Sequence, residues 1–92
     1  MNILYVSVKD TYLCLKYNEK TVRAAIIPVL YRYTEVLDFE KETGIVSLMA
    51  EFSFKDGSII VEEDWINLYD VLRFGFENPA DIINKIDRIE LE

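Results

Sequence analysis

The sequence predicts an α+β domain: an antiparallel sheet of about five to six strands, built from an N-terminal hairpin and a meander over residues 30–63, covered by two short C-terminal helices and a final edge strand. Three observations carry that expectation. Turn residues divide residues 30–65 into three β-prone runs. Asn and Pro open two stretches of helical apolar spacing after Trp65. The two ends of the chain, residues 2–17 and 88–92, alternate in the manner of strands. The chain is 92 residues long and 51% hydrophobic, enough for one domain over residues 1–92 with one core.

At the N-terminus, residues 2–8 and 11–17 flank a Lys9-Asp10 connection and pair as a first hairpin. Leu13, Leu15 and Tyr17 share one face of it and Tyr12, Cys14 and Lys16 the other, so the pair is apolar on both sides and needs cover. Residues 18–28 read two ways. Asn18 or Thr21 caps a short helix through Arg23, Ala24 and Ala25, or an Asn18-Glu19-Lys20 turn leads into a strand over 21–27. The β-branched Val22, Ile26 and Ile27 favour the strand. Pro28, without an amide hydrogen, marks an edge position or a break.

The meander follows from two turns. Asp56-Gly57 suits a two-residue type I′ turn, which sets Phe54 opposite Ile59 and Phe52 opposite Val61. A longer loop closed by Gly44 sets Glu40 opposite Ile45, and then Phe39 opposite Val46, Leu37 opposite Leu48 and Tyr33 opposite Phe52. One face then carries Tyr31, Tyr33, Leu37, Phe39, Val46, Leu48, Phe52, Phe54, Ile59 and Val61, while a one-residue slip in either turn would reverse the assignment. In this register Trp65 falls opposite Leu48, a core position.

Beyond the meander, Asn67 caps a helix over 68–74, with Leu68, Val71 and Leu72 facing the core and Gly75 closing it in the left-handed conformation. Asn78-Pro79-Ala80-Asp81 starts the second helix, because proline suits the first helical position and Asp81 answers the cap. Ile82, Ile83, Ile86 and Ile89 form its apolar stripe. The alternation of Arg88-Ile89-Glu90-Leu91-Glu92 then leaves the helix as a strand.

Composition narrows the function. With no histidine, Cys/His zinc sites are excluded and the side chain best suited to proton transfer near neutral pH is missing. The single Cys14 reads as a small buried hydrophobe. No apolar run approaches a membrane span and no leader pattern is present, so the expectation is a cytoplasmic protein without membrane contact. No phosphate loop, calcium loop or nucleophile elbow occurs, so no cofactor, metal or catalytic residue is assigned. Net charge is −7, but residues 1–34 carry two acids against five bases (+3) and residues 35–92 fifteen acids against five bases (−10). An acidic surface of this kind repels phosphate backbones and disfavours direct nucleic-acid binding. Lys9, Tyr12, Lys16 and Tyr17 form the one basic and aromatic stretch suited to a single strand.

Two constellations stand out. Glu35 and Glu63 flank Ala50 in the predicted register, a carboxylate pair that serves acid/base chemistry in a dry pocket and is a solvated rim otherwise. Glu62-Glu63-Asp64-Trp65 joins three acids to the only tryptophan, with Glu51 opposite Glu62 as a like-charged pair that a basic partner would relieve. The reading is a non-catalytic protein–protein interaction module that binds a basic partner through Glu35, Glu51, Glu62, Glu63, Asp64 and Trp65. Such a module acts as an adaptor, or as an inhibitor that blocks a nucleic-acid-binding site in the anti-CRISPR or other nucleic-acid-mimic manner. The alternatives are a homodimer or larger homo-oligomer formed through exposed strand edges, and a carboxylate-dependent enzyme using Glu35 and Glu63.

Overall fold

Tight turns organise the N-terminal half of the computed structural model, which describes residues 1–26 and 30–92. Asp10 and Thr11 have φ of 50° and 67°, and Asn18 and Glu19 have 47° and 67°. Both pairs are two-residue loops with two successive positive φ angles, the type I′ signature, whose twist matches that of the flanking strands. They join β1 (Ile3–Lys9), β2 (Tyr12–Tyr17) and β3 (Lys20–Ala25) with unbroken antiparallel registers, Lys9 opposite Tyr12 and Tyr17 opposite Lys20. Residues 20–25 are therefore strand rather than helix. The Pro28 break and the end of the predicted 21–27 strand lie outside the described residues.

The chain then forms β4 (Leu30–Glu40), β5 (Ile45–Ser53) and β6 (Ile59–Asn67), two short helices α1 (Leu68–Leu72) and α2 (Pro79–Lys85), and β7 (Arg88–Leu91). These seven strands make two sheets rather than the one of five or six expected: a four-stranded sheet ordered β3-β2-β1-β7, and a three-stranded sheet ordered β4-β5-β6. The last strand joins an edge as anticipated, but parallel to β1, with Leu4 opposite Ile89.

Both helices start where the sequence indicated. The Asn67 side chain accepts from the Tyr69 N–H at 3.0 Å, and that of Asn78 from the Asp81 N–H at 3.3 Å, with Pro79 in the first turn. α1 stops at Leu72, two residues short of the predicted Phe74. Gly75 is not left-handed and does not close α1 as expected; its value lies in space, because a Cβ there would run into the Val22 side chain. The linker between the helices thus lies against β3, and the Lys20 ammonium donates to the Gly75 carbonyl.

One core results. Leu4, Val6, Leu13, Leu15, Tyr17 and Val22 of the first sheet meet Val46, Leu48 and Ile66 of the second, with Leu68, Val71, Leu72, Ile83 and Ile86 of the helices between. Cys14 is buried as expected. Only the lower part of the three-stranded sheet reaches this cluster. Its upper part extends beyond it, and the molecule measures 43 × 22 × 21 Å.

The register of that sheet differs from the expected one at both turns, for separate reasons. At Gly44 (φ 74°) the loop behaves as predicted, pairing Glu40 with Ile45 and Phe39 with Val46. Further along β4, two irregularities, between Tyr33 and Glu35 and between Val36 and Asp38, each shift the pairing by one residue. Val36 rather than Leu37 then faces Leu48, and Tyr31 rather than Tyr33 faces Phe52. At the other turn only Gly57 has positive φ (89°), and the Phe54 N–H bonds to the Ser58 carbonyl while the Gly57 N–H bonds back to Phe54. This is a three-residue loop with a glycine bulge, not a type I′ turn. The Asp56 carboxylate holds it by accepting from the Ser58 N–H at 2.8 Å and the Ser58 hydroxyl at 2.6 Å, which also keep that carboxyl below its usual range. Ser53, not Phe54, now faces Ile59, and every side chain of β6 lies on the face opposite to the one expected.

Candidate protein-binding surface

The inner face of the three-stranded sheet is covered at one end and open at the other. Its rows read Phe39-Val46-Ile66, Val36-Leu48-Asp64, Tyr33-Ala50-Glu62 and Tyr31-Phe52-Ile60 across β4, β5 and β6. The first row packs into the core, and Leu48 and Ala50 are fully buried. Above them the aromatic side chains cover one another: Tyr31 lies edge-on to Tyr33 at 5.5 Å and tilted against Phe52 at 5.2 Å. The Tyr33 hydroxyl donates to Asp64 at 2.9 Å. Burial pushes the Tyr33 hydroxyl well above the ordinary tyrosine range, and its neighbours Tyr31 and Asp64 push it the same way. Burial likewise raises Tyr31. Asp64 is thus a structural acceptor as well as part of the acidic run.

The outer face carries the remaining candidates. Its rows are Glu40-Ile45-Asn67, Asp38-Ser47-Trp65, Glu35-Met49-Glu63 and Arg32-Glu51-Val61, with Ser53 and Ile59 beyond. Glu35 and Glu63 flank a central residue as expected, but that residue is Met49 instead of Ala50 and the face is the outer one. Both are exposed, and the geometry of a sheet sets their backbones about 9.5 Å apart. Trp65 is opposite Ser47, 60% exposed, not a core residue against Leu48. Glu51 faces Val61 instead of Glu62, so the expected like-charged pair does not form; its carboxylate meets the Arg32 guanidinium, Nε to Oε1 at 3.4 Å.

Of the six residues singled out from the sequence, the fold therefore gathers Glu35, Glu51, Glu63 and Trp65 on one face and sends Glu62 and Asp64 to the other. It also brings in residues the sequence reading did not single out for this surface. Asp38 and Glu40 extend the acidic face, giving five carboxylates against the single guanidinium of Arg32. Ile59 (59% exposed) and Val61 (56%), expected in the core, stand on the outer face beside them. The missing signal was the register, since apolar and acidic residues both occur in adjacent pairs along β6.

Elsewhere, a groove of about 510 Å³ runs between β4 and β7, lined by Val36, Phe39 and Ile89 among mixed charges (Asp38, Lys41, Glu42, Asp87, Arg88). Neither Glu35 nor Glu63 lines it. On the four-stranded sheet, Lys9, Tyr12 and Lys16 share the outer face, but Tyr17 turns the other way and is buried in the core. Arg23 sits over the Tyr12 ring at 4.7 Å, and Lys9 and Lys16 both reach Glu92, at 3.6 and 3.7 Å. Among the described residues no three metal-ligating side chains come together, and no helix is long and apolar enough to cross a membrane. No family model matches this chain, and no curated protein or solved structure matches it either.

Proposed function

We propose that the protein is a non-catalytic interaction module whose outer sheet face, centred on Glu35, Met49, Glu63 and Trp65, binds a basic protein partner. One observation carries the reading: an exposed tryptophan and two exposed β-branched side chains stand on a face with five carboxylates and one guanidinium. Exposed apolar side chains supply contact area that repays desolvation, and tryptophan is the residue most often found at binding hot spots. The surrounding carboxylates steer a cationic partner and repel phosphate backbones, which suits an adaptor or an inhibitor occupying a site meant for nucleic acid.

The test is capture from lysate at low and high salt, comparing the native chain with a Glu35→Lys/Glu63→Lys double variant. Basic proteins are expected on the native chain at low salt and are expected to be lost in high salt and on the variant. Capture indifferent to both changes sinks the reading. The open edge of β6 favours a second reading, a homodimer built by strand pairing, which light scattering over a concentration range tests.

A further inference from the structure

We infer that the open edge of β6 accepts an extended basic segment of the partner, which adds antiparallel to β6 as a fourth strand of the sheet. This rests on the interaction reading above and specifies the form of the partner. Hydrogen-bond parity comes first. The Phe54 N–H bonds to the Ser58 carbonyl at one end of the β5–β6 ladder and the Leu68 N–H to the Gly44 carbonyl at the other, with no irregularity between. Even-numbered residues of β6 therefore turn their backbone groups toward β5. The N–H and C=O groups of Ile59, Val61, Glu63 and Trp65 point to the open side. β5 is the only strand paired with β6 among the described residues, so this row of donors and acceptors is a template for a further strand.

The side chains along the edge say what kind of strand fits. Ile59, Ile60 and Val61 are all about half exposed, and Glu62 and Glu63 have no cation within salt-bridge distance among the described residues. A second copy of this chain fits poorly. Self-pairing along the whole edge centres the two-fold axis on Glu63, setting Glu63 against itself and Glu62 against Asp64, which like-charge repulsion penalises. The self-pairing that matches apolar with apolar centres on Ile60 and leaves only three residues of each strand in contact. A segment with β-branched residues opposite Ile59, Ile60 and Val61, and Lys or Arg opposite Glu62, Glu63 and Asp64, satisfies the whole edge at once.

Trp65, the only tryptophan, sits on this strand and reports binding by its fluorescence. The probe is the synthetic peptide Lys-Lys-Lys-Val-Ile-Val, which runs antiparallel to residues 59–64. Two further versions carry N-methyl groups, one on the residues opposite Ile59, Val61 and Glu63, whose N–H groups would face β6, the other on the alternate residues. The unmodified and alternately methylated peptides are expected to bind alike, and the version blocked toward β6 to bind at least about tenfold more weakly. Val61→Pro removes an open-edge donor without touching the β5 ladder and is expected to weaken the unmodified peptide similarly; the methylated peptides make the test independent of that variant's folding. Equal binding by all three peptides overturns strand addition and leaves the acidic-face reading standing. No binding by any of them, with salt-sensitive lysate capture intact, does the same; loss of capture as well removes both. A concentration-dependent dimer that Val61→Pro dissolves makes a second copy the occupant, and also overturns the inference.

Discussion

The two sheets of this molecule are opposites in charge and in cover. Strands β1, β2, β3 and β7 carry five basic residues and one acid, whereas β4, β5 and β6 carry one basic residue and seven acids. The first sheet lays Leu4, Val6, Leu13 and Leu15 on the helices and second sheet, with two-residue loops and no irregularity in its antiparallel registers. The second has two bulges, a three-residue bulged turn, and an upper half whose Ile59, Ile60 and Val61 are about half exposed. The difference is one of cover: the first sheet is anchored in the core, whereas the second enters it only at its lower end, through Val46, Leu48 and Ile66, and stands about half exposed at Ile59, Ile60 and Val61. Folding stability should then be insensitive to change in the upper second sheet and sensitive in the first.

The largest expected effect tests that division directly. Leu15→Ala removes a fully buried side chain from the first sheet and should lower unfolding stability by about 3 kcal/mol, whereas Ile60→Ala should cost under about 1 kcal/mol. Urea unfolding followed by Trp65 fluorescence measures both. Equal losses would mean that the upper second sheet is packed after all.

Glycines at the two ends of the second sheet sharpen the same contrast. Gly44 (φ 74°) lies at the covered end, where a Cβ would come within 2.6 Å of the Tyr69 ring; Gly57 (φ 89°) lies at the open end with nothing within 4 Å. Both substitutions to Ala carry the left-handed penalty of about 1 kcal/mol, and Gly44→Ala adds overpacking, for about 2 to 3 kcal/mol in total. Melting temperatures of the two variants should separate accordingly, and a larger loss for Gly57→Ala would reverse the assignment of the covered end.

Between core and open end stands Tyr33. Its folded-state pKa is raised above the ordinary value of 10.0, chiefly by burial, so the stability tied to its neutral form is complete below pH 10 and drains away as pH rises beyond it. Tyr33→Phe should cost about 1 kcal/mol at neutral pH through the lost bond to Asp64. The variant should then lose less between pH 9 and 11 than the native chain does. An unchanged alkaline slope would show that Tyr33 is solvated and that cover ends one row lower.

How far the sequence could be read follows the same line between the sheets. The first hairpin was legible in part: Leu13, Leu15 and Tyr17 share the face that turns inward, although the opposite face with Tyr12 and Cys14 also read as apolar and residues 18–28 read as helix or strand. The helix starts at Asn67 and Asn78 were legible because cap chemistry is local. The lower second sheet was legible too, since Gly44 allows one closure and sets Phe39 opposite Val46. The upper second sheet was not. Ile59-Ile60-Val61 is apolar on both faces and Glu62-Glu63 acidic on both, so alternation does not choose between registers one residue apart, and the bulges near Thr34 and Leu37 have no signature of their own. Glu35 and Glu63 still share a row because the slips on the two sides of β5 are of equal size there, although that row lies on the other face.

The smallest expected effect isolates the turn that decided this. The ambiguity at Asp56-Gly57 is one of closing pair: a two-residue loop closed by Lys55 and Ser58, or a three-residue loop closed by Phe54 and Ser58. The second is observed. Deleting Lys55 leaves Asp56-Gly57 as a two-residue loop between Phe54 and Ser58, the type I′ turn the dipeptide favours, with the closing pair already in place. The faces of β6 therefore stay as they are, and the hairpin comes to resemble the two of the first sheet. Quenching of Trp65 by iodide should be unchanged by the deletion. Protection of Trp65 would mean that the strand had turned over, carrying Ile60, Glu62 and Asp64 to the outer face and exchanging the proposed binding surface for its reverse.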